Sequence, residues 1–205
     1  MAFSVRPADI IKARVIDYLI EKYDGVVIGN EVMYGTSRKI VDLLALYRGE
    51  TYAIEIKSSN DDLRRLPTQI TEYSKIFDHT LVFATTDHMQ KIKEIAITKV
   101  AIFEINTQEI HEMKTWSKTN KTLKREMLAT MNSLFIRKTL NISNGGDSDY
   151  IRRRAMRHSK DEIRSILFDY FMEKLLNPYQ IFLEERGERT EIDDILILSN
   201  RLNVE

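Results

Sequence analysis

Residues 42–57 read D-L-L-A-L-Y-R-G-E-T-Y-A-I-E-I-K. Apolar residues on either side of the turn Arg48-Gly49-Glu50 predict two strands, 39–47 and 51–57, joined as a hairpin. Asp42 lies between Val41 and Leu43, and a bare carboxylate inside an apolar strand is costly without a partner. A two-residue loop of Arg48-Gly49 sets Asp42 directly opposite Glu55. A loop of Gly49-Glu50, with glycine first as a type II′ turn prefers, sets it opposite Lys57 with Glu55 on the diagonal. In both registers Asp42, Glu55 and Lys57 share one face, because residues two apart on a strand point the same way. A three-residue loop without a bulge would turn Asp42 to the other face. Two carboxylates on one face repel each other unless a cation lies between them. Mg²⁺ takes oxygen ligands and retains several waters, and a bound cation acidifies water and stabilises charge on a phosphate. Taken alone, D-x12-E-x-K also describes a salt-bridged strand pair in which Lys57 neutralises one acid.

Working outward, Ile10, Ile11, Val15, Tyr18 and Leu19 recur at helical spacing and predict a helix over 8–23, ended by Asp24-Gly25. A strand over 26–33 follows. Pro67 suits the first turn of a helix running to about Phe77. Strands are expected at 79–85 and 100–105, with a helix over 87–96 between them. The order α-β-β-β-α-β-α-β belongs to an α/β or α+β domain with a central mixed sheet flanked by helices. From about Lys118 the strand signals stop. Helices are expected over 121–140 and 159–176, the second opened by Ser159 and Glu162 as a capping box and closed before Pro178. Residues 141–149 form a Gly/Ser/Asn/Asp-rich loop, and 191–198 is a short apolar segment of open type. We therefore divide the chain into a core, 1–117, and a mainly helical C-terminal region, 118–205.

The 205 residues are 43% hydrophobic and 30% charged, with no cysteine. This composition fits a globular protein and excludes disulfides and thiolate zinc sites. No apolar run reaches the ~20 residues of a membrane-spanning helix, and no signal-peptide pattern opens the chain, so a cytoplasmic location is expected. The formal net charge is zero, but its distribution is uneven: 118–160 carries 11 Lys/Arg against 3 Asp/Glu (+8), and 161–205 carries 5 against 11 (−6). A basic middle segment can bind a polyanion, pair within the fold, or complement the acidic end of a second copy in a homodimer.

Gln69 and Tyr73, four residues apart, lie on one face of the helix after Lys57. Asp42, Glu55-Ile56-Lys57 and Gln69-x-x-x-Tyr73, in this element order, resemble the PD-(D/E)XK nuclease superfamily, and the Q-x-x-x-Y element resembles its RecB-like and Cas4-like branch. The run from Glu55 to Asp78 is similar to small bacterial and phage proteins assigned to that superfamily. The resemblance spans roughly Ala8 to Ile105 and implies a restriction-endonuclease-like core that hydrolyses phosphodiester bonds, most commonly of DNA, with Mg²⁺ or Mn²⁺. It implies metal ligation by Asp42, by Glu55 and by the Ile56 carbonyl. Val41 stands where the family name has proline. Lys57 matches the catalytic lysine, which orients or deprotonates the attacking water or stabilises the pentavalent phosphate. Gln69 and Tyr73 would position the metal shell and the nucleic-acid backbone.

A third acid often completes such sites. Glu31 is the choice here, with Glu21 and Asp17 as rivals, and the upstream histidine of the RecB-like branch has no counterpart before His79. Arg38, Arg64 and Arg65 flank the site in sequence and suit phosphate contact. Arg153, Arg154 and Arg157 share a face if helical and are further candidates for nucleic-acid binding. The alternatives are a non-catalytic nucleic-acid-binding module of the same fold, and a partner-docking protein that uses 118–205. Trp116, His79, His88, His111 and His158 show no ligand spacing.

Overall fold

A computed structural model describes residues 7–95, 100–115, 119–143 and 145–199. Trp116 and the junction at 117–118 lie outside these residues. Helix α1 (Pro7–Lys22) precedes three strands, β1 (Val27–Tyr34), β2 (Lys39–Tyr47) and β3 (Glu50–Lys57). A short 3-10 turn, Leu63–Arg65, leads into α2 (Leu66–Tyr73), followed by β4 (His79–Thr85), α3 (Met89–Glu94), β5 (Ala101–Ile105) and β6 (Ile110–Lys114). The remaining elements are helices: α4 (Lys124–Thr130), α5 (Ser133–Thr139), α6 (Ser148–Ala155), α7 (Lys160–Glu185) and α8 (Ile192–Ile197).

The six strands form one mixed sheet in chain order. β1, β2 and β3 are antiparallel neighbours, β3, β4 and β5 run parallel, and β6 returns antiparallel. This is the expected α+β architecture, a central mixed sheet flanked by helices with a helical C-terminal region. The β2–β3 hairpin pairs Tyr47 with Glu50, so its loop is Arg48-Gly49. Both loop residues have positive φ (49° and 78°), which is the requirement of a type I′ turn and matches the strand twist. This selects the register that brings Asp42 level with Glu55.

The central strands read as nearly continuous apolar runs because both of their faces are covered. Along β4 alternate side chains go to opposite sides. Phe83 meets the ring of Tyr18 from α1 edge-on at 6.0 Å. Val82 and Ala84 join a separate cluster with Leu66, Met89 and Ile92. On the other side of β1 and β2 lies α7, whose Phe171 stacks on Phe77 at 6.0 Å. One hydrophobic cluster takes in Ile16, Leu43, Phe77, Met127, Phe171 and Phe182, so the helices after residue 118 share the core of the sheet.

Four expectations need correction. Strand β6 carries no sequence signal, since its residues are exposed apart from a half-buried Ile110; a polar edge strand lacks the alternation that marks a half-buried one. The expected helix over 121–140 is two helices, because Met131 and Asn132 are extended and Asn132 caps α5 by accepting from the Phe135 amide at 2.7 Å. Helix α7 does not stop before Pro178 but continues to Glu185. The proline removes one donor, yet Leu175, Tyr179 and Phe182 carry the buried face onward past it. At its start, Ser159 caps the Glu162 amide, but the Glu162 carboxylate bonds His158 instead of completing the box. The segment of open type is α8, entered through a capping box between Glu191 and Asp194. No helix among the described residues is long and apolar enough to cross a membrane.

Candidate metal and phosphodiester site

The antiparallel hairpin sets the early part of β2 against the late part of β3, which brings Asp42 and Glu55 together. The ladder ends at the pair Leu43 and Ile54, and Asp42 and Glu55 are the next residues outward in that register. On the other side, Asn30 pairs with Leu43 and Val32 with Val41, so Glu31 lies across from Asp42. Three carboxylates therefore occupy one row across β1, β2 and β3. Glu31 has φ 49°, an uncommon conformation for a non-glycine residue, and doubly so within a strand.

Glu55 is 2% exposed, and its carboxylate is held by three donors from α2 and β3. Its Oε1 accepts from Lys57 Nζ at 2.7 Å and from Gln69 Nε2 at 2.5 Å, and its Oε2 accepts from the Tyr73 hydroxyl at 2.5 Å. The Gln69 carbonyl in turn accepts from Lys57 Nζ at 3.3 Å, so one amide orients both the acid and the lysine. Leu63 and Leu66 are buried and anchor the entry of α2. Two turns on, Tyr73 is wedged edge-on against Tyr34 at 5.4 Å. Burial, and then the negative charge of Glu55, push the Tyr73 phenol well above its ordinary range, which keeps it a donor.

Asp42 accepts from the Ile56 amide through Oδ2 at 2.8 Å. Its Oδ1 accepts no hydrogen bond from any described residue. Burial and repulsion from Glu55 push the Asp42 carboxyl up to about 6, against the opposing pull of the Ile56 amide, Lys12 and Lys57.

Asp42, Glu55 and Lys57 line a cleft of about 730 Å³ with Glu31, Ile56 and Gln69 on its walls. Among the described residues no group of three or more His, Asp or Glu side chains converges as a preformed metal cage. The donors suit a hard cation that keeps part of its water shell: two carboxylates, the Ile56 carbonyl and Glu31, all oxygen.

A family model described as bacteriophage P4 protein cII matches residues 1–199. The chain belongs to the bacteriophage P4 protein cII family. Among solved structures, the SPO1766 protein of unknown function from Silicibacter pomeroyi is similar at 17% identity, over 71% of this chain and 98% of that one, with a TM-score of 0.46. No curated protein matches.

In this cII-family protein the arginine candidates do not all gather at the acid cleft. Arg64 and Arg65 line the acid cleft, Arg64 held by Asp62 through its Nε at 2.5 Å. Arg38 does not; it lines a second groove beside α4 and α7. Arg153 faces a third hollow. Helix α6 ends at Ala155, so Arg157 lies in the following turn and does not share a helical face with Arg153 and Arg154. Of the rivals to Glu31, Asp17 is committed elsewhere, accepting from Thr190 and from Arg186, the latter at 2.8 Å. Glu21 is exposed at the end of α1 and is not part of the cleft.

The sequence reading missed Lys12, Asp9 and Asp61, all on the cleft wall. Lys12 is 7% exposed. Its Nζ donates to Asn30 Oδ1 at 2.8 Å and lies 3.8 Å from Glu31. A signal was present: Lys12 precedes Val15, Ile16 and Leu19 by three, four and seven residues, so it sits in the apolar stripe of α1. Asp61 accepts from both the amide and the hydroxyl of Ser58, which fixes the chain just beyond Lys57.

Proposed function

We propose that this protein is a divalent-metal-dependent nuclease that hydrolyses phosphodiester bonds in DNA, with a restriction-endonuclease-like core. The observation that carries the reading is the single network joining Glu55, Lys57, Gln69 and Tyr73 beside Asp42. A salt-bridged strand pair would need only Lys57 and one acid. Here a buried acid receives three donors, while a second acid close by keeps one carboxylate oxygen without a partner among the described residues and has its ionisation disfavoured. Such a pair gains from a cation, which would relieve the repulsion that raises Asp42.

Asp42, Glu55, the Ile56 carbonyl and Glu31 would hold Mg²⁺ or Mn²⁺. The bound ion would supply Lewis acidity toward a phosphate oxygen and a water of lowered pKa. Lys57, fixed between Glu55 and Gln69, presents an ammonium at the cleft that orients the attacking water and stabilises charge gathering on the phosphate. Tyr73 and Gln69 keep Glu55 in one rotamer and so fix the site before substrate arrives. The backbone strain at Glu31 fits this role, since strained residues persist where the surroundings hold them for function.

The test is incubation of the purified protein with plasmid, linear and single-stranded DNA and Mg²⁺ or Mn²⁺. Cleavage is expected, abolished by chelator, and reduced by ~10²–10⁴ in Lys57→Met and in Glu55→Gln. Absence of cleavage of every substrate, or a Glu55→Gln variant as active as wild type, would falsify the proposal. DNA binding indifferent to chelator and without cleavage would favour the non-catalytic binding module.

A further inference from the structure

Four chain segments bring basic side chains to one place distant in sequence from the acid row. Arg38 comes from the β1–β2 turn, Arg125 from α4, Arg152 and Arg153 from α6, and Lys174 from α7. They line two adjoining hollows, of about 550 and 460 Å³, that share Thr36, Ala129 and Arg152 and so form one groove. Asp149 is the one acidic residue in its lining. No described carboxylate lies within ion-pair distance of any of the five cations. Arginines elsewhere behave differently: Arg164 is clamped by Glu50 and Asp78, and Arg186 by Asp17. The positive surplus of residues 118–160 is therefore not neutralised inside the fold at this groove.

The groove walls are fixed. The Gly35 amide donates to Thr130 Oγ1 at 3.1 Å, tying the β1–β2 turn to α4. The Arg152 guanidinium donates to the carbonyls of Leu128 and Met131, tying α6 to the α4–α5 junction. Lys174 sits over the Tyr170 ring at 4.7 Å. Unpaired cations held on a rigid concave surface recognise a polyanion whose charges repeat along its length.

We propose that this groove is a binding track for the phosphate backbone of the same nucleic acid that enters the acid cleft. The proposal rests on the nucleic-acid reading of that cleft. Arg38 lies in the turn four residues before Asp42, at most ~13 Å away at ~3.3 Å per extended residue. That distance is about four base steps at ~3.4 Å along one DNA strand, within the length of one duplex.

The experiment is fluorescence anisotropy of a labelled DNA duplex in EDTA, at several salt concentrations, for wild type and the triple variant Arg125→Ala, Arg153→Ala, Lys174→Ala. All three side chains are exposed, and circular dichroism checks that the variant folds. Loss of at least about tenfold in affinity is expected, with the salt slope reduced by ~0.9 for each contact removed. Unchanged affinity and slope overturn the track, as does a wild type that does not bind DNA or binds polyglutamate equally well. EDTA separates the two proposals. A wild type that binds through the groove but cleaves nothing refutes the catalytic reading alone. A triple variant that cleaves with unchanged KM refutes the track alone.

Discussion

The Tyr73 hydroxyl donates to Glu55 Oε2 at 2.5 Å, with neither side chain more than 2% exposed. The bond ties the middle of the sheet to the end of α2, so it belongs to the stability of the fold as much as to the geometry of the cleft. Tyr73→Phe keeps the ring packing on Tyr34 and Phe77 but leaves a buried carboxylate oxygen without its donor. A loss of about 1–3 kcal/mol is expected in urea unfolding. A Tyr73→Phe protein as stable as wild type would show that water replaces the hydroxyl.

Asp42 yields a pH dependence. In the metal-free protein its carboxyl is raised from 3.8 to about 6 by burial and by Glu55. Between these values the folded state holds a proton that the unfolded state has lost. This group therefore lowers stability as pH rises from about 4 to about 6, and the penalty persists above. At about 1.4 kcal/mol per pH unit it amounts to roughly 3 kcal/mol. Asp42→Asn removes the ionisation, so urea unfolding in EDTA is expected to show a shallower fall across that window. Mg²⁺ at about one hundred times its Kd should stabilise wild type at pH 7 by ~2.7 kcal/mol and the variant by less.

Glu31 holds a left-handed backbone within β1. Glycine adopts that conformation freely, whereas a β-branched residue resists it. Glu31→Gly is expected to leave thermal stability within about 0.5 kcal/mol of wild type, because relief of strain offsets the added freedom of the unfolded chain. Glu31→Val is expected to cost ~1–2 kcal/mol. Both should weaken Mn²⁺ binding measured by calorimetry. Equal stability of the two variants would refute the assignment of strain.

Gly29 reports on the union of sheet and helices. A Cβ added there would meet Leu175 Cδ2 of α7 at 2.5 Å and Val32 Cγ2 at 2.9 Å. Overpacking of this kind costs ~1–3 kcal/mol, so Gly29→Ala should lower the unfolding midpoint. A companion change, Leu175→Ala, should restore part of the loss. If the two effects simply add, α7 does not press on β1 as described.

Much of this was legible in local sequence. The strand 39–47 and the strand at 79–85 appear with the expected bounds, since a run of apolar residues between turn residues needs no tertiary information. The acid pair, Lys57 and the Gln69–Tyr73 spacing were also readable, because periods of two and of nearly four place side chains on one face whatever surrounds them. Lys12 was readable in the same way and was passed over.

Only the tertiary structure decided the rest. Arg48-Gly49 rather than Gly49-Glu50 forms the loop because of the register in which β2 and β3 pair, since both two-residue turns match the strand twist. Strand β6 exists because β5 offers it an edge to pair with, and α7 runs through Pro178 because Tyr179 and Phe182 have a core to fill. Arg38 and Arg153 lie far apart in sequence, and their meeting in one groove depends on how α4, α6 and α7 pack on the β1–β2 turn. Local pattern determines which side chains share a face; long-range packing determines which faces meet.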